Sequence, residues 1–91
     1  MPRLYLTPKY IQMRVVKEIP HSECKISVFS WNDKYLIKFE QGNLEQTYKI
    51  SEWDILEEGD LNEVLNDEFI NKVLERFKSM SKDLHEATQH L

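Results

Sequence analysis

Two turn signals ten residues apart constrain this chain more than any other feature of it. Asn32-Asp33 and Gly42-Asn43 separate three runs rich in β-branched and aromatic residues: Cys24 to Trp31, Lys34 to Gln41 and Leu44 to Ile50. Both pairs consist of residues that tolerate positive φ, which a two-residue hairpin turn requires. If each pair is such a turn, the register follows. Phe29 faces Leu36, Val28 faces Ile37, Ile26 faces Phe39 and Lys25 faces Glu40. Across the second turn Gln41 faces Leu44, Ile37 faces Tyr48 and Tyr35 faces Ile50. Both turns then select one inward face made of Ile26, Val28, Tyr35, Ile37, Phe39, Leu44, Tyr48 and Ile50. A one-residue slip in either turn would destroy that agreement, so the pattern predicts an antiparallel meander.

Upstream, Tyr10 to Val16 alternates, with Ile11, Met13 and Val15 on one side and Gln12 and Arg14 on the other, which predicts a further strand. Pro20 interrupts the chain because it has no N–H to give a ladder. Downstream the period changes. Ser51 and Asp54 have the spacing of an S-x-x-D capping box, and Asp60 is an N-cap candidate for Leu61, Val64 and Leu65. Phe69, Ile70, Val73, Leu74, Phe77, Met80 and Leu84 form a second helical stripe, roughly 140° out of phase with the first at about 100° per residue. Asn66-Asp67 can end one helix and cap the next. A helix from Asp67 to Leu84 is roughly 27 Å long, close to the roughly 26 Å of an eight-residue strand. It can therefore lie along the inward face, leaving His85 to Leu91 to fray. The expected fold is α+β: an antiparallel β-meander of three to four strands (about residues 10–50), then a short and a long C-terminal helix (about residues 60–86) packed on one sheet face, in a single domain spanning residues 1–91.

The chain is 91 residues long, 41 % apolar and 31 % charged, which suits one globular domain and not a disordered chain. No apolar run approaches the length of a membrane span and no leader-like apolar stretch opens the chain, so a cytoplasmic setting is expected. The net charge of −4 is unevenly spread: residues 1–50 carry +3 and residues 51–91 carry −7. Either the halves attract each other within the fold, or the first half offers a basic surface to an anionic partner.

Residues with chemistry are sparse. His21-Ser22-Glu23-Cys24 has an H-x-x-C spacing, but zinc needs three or four ligands and Cys24 is the only cysteine. His85 and His90 are five apart, off the spacing that shares a helical face. Cys24 could be a nucleophile activated by His21, but it shares parity with Ile26 and Val28, as a core residue would. Glu40 and Glu45 are expected to be cross-strand neighbours, a pair of the kind glycosidases use, yet Lys25 and Lys38 flank them as in a solvated charge cluster. The only glycines are Gly42 and Gly59, so no phosphate-cradling loop exists. No catalytic residue, cofactor or metal is expected, and the chain is not expected to be an enzyme.

The outward sheet face is more informative. By parity it carries Lys25, Ser27, Phe29, Trp31, Lys34, Leu36, Lys38, Thr47 and Lys49. The candidate interaction surface is Phe29, Trp31, Lys34, Leu36, Lys38 and Lys49. Aromatics among lysines can stack with single-stranded nucleic acid. The same patch suits a partner protein or a second copy of the chain. A third possibility is that the N-terminal segment folds over it through Leu4, Tyr5 and Leu6.

The stretches Ile19-Pro20-His21, Cys24-Lys25-Ile26, Phe29-Ser30-Trp31-Asn32, Lys34-Tyr35, Glu40-Gln41-Gly42 and Leu44-Glu45-Gln46-Thr47-Tyr48-Lys49 resemble a family of short uncharacterised proteins of Bacteroidetes-type bacteria. The resemblance spans roughly residues 10–80. It implies a bacterial cytoplasmic protein and supplies no activity, cofactor or site residue. The expected role is a non-catalytic protein-interaction or self-association module, with a homodimer or another protein as partner and no membrane; single-stranded nucleic-acid binding through the aromatic and basic face is the alternative.

Overall fold

A computed structural model describes residues 13–91. Four strands form one antiparallel sheet in the order β1 (Arg14–Ile19), β2 (Lys25–Trp31), β3 (Lys34–Gln41) and β4 (Leu44–Ser51). A 3-10 turn (Glu52–Asp54), a short helix α1 (Glu58–Val64) and a long helix α2 (Asp67–Thr88) follow. The α+β meander expected from the two turns is the observed architecture, and every expected pairing across β2, β3 and β4 is present. Asn32 and Asp33 both have positive φ (53° and 63°), the pattern of a type I′ turn. At the second turn only Gly42 does (60°), which is type II′.

The first strand differs from the expectation. It starts at Arg14 and continues to Ile19, and its pairing with β2 shifts between Val15 and Lys17, so Val16 is an extra residue in a β-bulge. The bulge reverses the facing of the strand. Val16 and Ile19 pack against the core, while Val15 opposes Phe29 on the other face. The expectations for Tyr10, Ile11 and Gln12, and for a cover made by Leu4, Tyr5 and Leu6, lie outside the described residues.

The core is Ile26, Val28, Ile37 and Phe39 from the sheet with Leu61 and Leu65 from α1 and Ile70, Val73, Leu74 and Phe77 from α2. Cys24, Tyr35, Leu44, Tyr48 and Ile50 pack at its rim. Among the described residues the helices cover one face only and divide it. Lys17 of β1 donates to the Asn62 side chain of α1 at 2.6 Å. On the β4 side, Phe69 of α2 packs edge-on against Phe39 and Tyr48, with centroids 5.8 and 5.3 Å apart.

Helix capping follows local chemistry with two reassignments. Ser51 caps the 3-10 turn, accepting from the Trp53 N–H, instead of starting a longer helix with Asp54. Asp60 lies in the first turn of α1, where its carboxylate accepts from the N–H groups of Leu56 and Glu57. Asn66 caps α2 as expected, accepting from the Phe69 N–H at 2.8 Å. α2 runs one turn past the expected end. Residues 81–91 are all exposed, so Leu84, expected on the core stripe, is not part of the core. The Thr88 hydroxyl donates to the Leu84 carbonyl near the helix end.

The outer sheet face as the candidate functional site

Strand register determines the layout of the outer face. Val15, Phe29, Leu36 and Lys49 form one row across all four strands. Trp31 faces Lys34, and Lys34 faces Ser51, in the row nearer the Asn32-Asp33 turn. Glu18, Ser27, Lys38 and Thr47 form the row on the other side. All six candidate residues, Phe29, Trp31, Lys34, Leu36, Lys38 and Lys49, therefore occupy one face. Phe29, Trp31, Leu36 and Lys38 are half-buried, and Lys34 and Lys49 are exposed. Val15, 54 % exposed, extends the apolar row to the β1 edge. The sequence hid Val15 because nothing in its pattern marks the bulge.

The charges on this face are mixed. The Lys38 ammonium sits 5.9 Å from the Phe29 ring centroid and 3.7 Å from the Glu45 carboxylate. Glu45 also accepts from the Thr47 hydroxyl at 2.9 Å. Glu40 and Glu45 are cross-strand neighbours and Lys25 opposes Glu40, so the paired carboxylates stand among cations on an exposed surface. None of the three ion pairs among the described residues joins the basic half to the acidic half. Polar side chains make that connection: Lys17 to Asn62, the Ser30 hydroxyl to Glu52 at 3.3 Å, and Arg76 to Tyr48 at 2.9 Å.

On the inner face lies a polar group that the sequence reading passed over. Gln46 is 7 % exposed and opposes Phe39. Its amide donates to the Val73 carbonyl of α2 at 2.9 Å, and its oxygen accepts from Tyr48 at 2.7 Å and from Arg76 at 3.3 Å. A buried amide with three partners is satisfied and pins helix to sheet. Two further apolar side chains stand out in solvent: Trp53 (82 % exposed) and Leu56 (89 %), beside the 3-10 turn.

The nucleophile and metal ideas find no supporting geometry. His21 Nδ1 accepts from the Glu23 N–H at 3.1 Å, which fixes the ring against its own loop. Burial, and secondarily the Glu23 charge, push the Cys24 thiol up from its ordinary value, the opposite of nucleophile activation. Among the described residues no three His, Cys, Asp or Glu side chains are grouped so as to hold a metal ion, and no helix is long and apolar enough to cross a membrane.

In comparisons with family models, curated proteins and solved structures, the chain matches none.

Proposed function

We propose that this chain is a non-catalytic self-association module, acting through the helix-free side of its sheet. The observation that carries this reading is the apolar row Val15–Phe29–Leu36, which crosses three strands on the face opposite the helices and ends at Lys49. Apolar side chains in a contiguous row on an open face mark interaction surfaces more often than isolated ones do. The raised thiol of Cys24 and the ordinary charge cluster around Glu40 and Glu45 favour binding over chemistry. A bacterial cytoplasmic setting, implied by the family resemblance, belongs to the same proposal.

Single-stranded nucleic acid is the second reading, favoured by exposed Lys34 and Lys49 beside half-buried aromatics. Three acidic residues on the same face, Glu18, Glu40 and Glu45, weigh against it, as does the net charge of −4. Chemical-shift mapping at rising protein concentration separates the two. Self-association moves the signals of the sheet's helix-free side together with an increase in solution mass. Nucleic-acid binding moves the same signals only when an oligonucleotide is added and is reversed steeply by salt. Shifts confined to the helices, or none in either titration, refute both.

A further inference from the structure

We infer that the second copy joins along β4, antiparallel and about a two-fold axis at Thr47, so that two four-stranded sheets become one of eight strands. The inference rests on the self-association part of that reading and goes beyond it, moving the contact between copies from the apolar row to the neighbouring β4 edge.

The two borders of the sheet are unlike. β1 is six residues long, bulged at Val16 and followed by Pro20, all features that blunt an edge. β4 is eight residues long, paired without interruption to β3 and free of proline. Among the described residues nothing pairs with its outer side. The two-residue turn makes Gln41 and Leu44 the hydrogen-bonded pair that closes the hairpin, and the ladder alternates from there. Leu44, Gln46, Tyr48 and Ile50 therefore direct their main-chain groups to β3, and Glu45, Thr47 and Lys49 direct theirs outward.

Those three residues are self-complementary in one register. With Thr47 opposite the partner's Thr47, Glu45 faces the partner's Lys49 and Lys49 faces the partner's Glu45. The three pairs exchange about six main-chain hydrogen bonds. On the inner face the same register sets Leu44 against the partner's Ile50 and Gln46 against its Tyr48, so apolar meets apolar and polar meets polar there while opposite charges meet on the outer face. Leu44 and Ile50 are both half-buried, with surface left to cover. Shifting by two residues removes the match: Glu45 then faces Thr47 or Ser51, and Lys49 faces Asn43 or Thr47. The pair also spares β4 the like-charge contact that a lone edge lysine uses to repel a copy of itself. The outer apolar rows of the two copies then lie on one continuous surface.

Sedimentation analysis of the full chain, with melting curves in parallel, tests this. Wild type is expected to approach twice the monomer mass as concentration rises. Thr47→Pro removes an N–H that β3 does not use, so it should leave a folded monomer. Glu45→Lys or Lys49→Glu alone should raise the dissociation constant about tenfold by opposing like charges, and the double variant Glu45→Lys with Lys49→Glu should recover most of the loss. That recovery decides the matter even if the proline variant fails to fold. Leu36→Lys, one strand in from the edge, should leave the dimer intact. A dimer that persists in Thr47→Pro but is lost in Leu36→Lys overturns the edge contact and leaves self-association standing through the outer face. A wild type that stays monomeric throughout overturns both.

Discussion

The two faces of the sheet are built from alternate residues of the same strands, yet they do different things. On the inner face Val28, Ile37 and Phe39 are completely buried beneath Leu61, Val73 and Phe77. On the outer face Phe29 and Leu36 are half-buried and Val15 is mostly exposed. Residue type does not separate them, since Val, Leu and Phe stand on both. What differs is the cover: two helices reach the inner face, whereas on the outer face Ser27 is buried and Phe29 and Leu36 are half-buried without any of the described helices over them. Burial, not hydrophobicity as such, sets how much a side chain contributes to folding. The inner face should therefore govern stability, and the outer face should be available for association.

Substitutions on each face can break that contrast. Phe77→Ala, which empties the middle of the core, should lower stability by about 3–5 kcal/mol in denaturant titration; a loss under about 1 kcal/mol, the scale of a surface change, would mean that α2 does not seal the sheet. Gln46→Leu keeps the volume but removes the polar pin. A loss of about 1 kcal/mol is expected, because Arg76 and Tyr48 still bond each other at 2.9 Å. An increase in stability would show that the amide serves something other than holding helix to sheet. Leu36→Lys on the outer face, which removes a half-buried side chain and sets a lysine opposite Lys49, should cost no more than about 1 kcal/mol. A core-sized loss there would show a cover on that face. The smallest effect is expected from deleting residues 89–91, which follow the last helical residue and are exposed. The denaturation midpoint should not move, and a clear drop would reveal a docked tail.

The sequence was legible where backbone chemistry leaves one option. Asn32-Asp33 and Gly42-Asn43 admit only tight turns, and two tight turns determine the register of three strands. Asn66 was legible for a similar reason: its short amide reaches the Phe69 N–H from the cap position. Legibility failed where packing decides. The bulge at Val16 has no local signal, because Val15 and Val16 are interchangeable in pattern and only contact with the core selects between them. Gln46 was hidden by its polarity: parity pointed it inward, but its partners, the Val73 carbonyl and Arg76, come from a helix some thirty residues away. Asp60 has the chemistry of a cap and works as one from inside the first turn, a distinction of two or three positions that composition does not encode. The outer surface was largely readable from parity, with Phe29, Leu36 and Lys49 in one row, because the same two turns that orient the core orient its opposite.

Solution mass measured against protein concentration is the most direct test of self-association. If the chain self-associates, along β4 or through the outer face, the wild-type chain moves from monomer toward twice that mass as concentration rises, while its helix signal stays constant. A mass that remains monomeric from dilute to concentrated solution would contradict it.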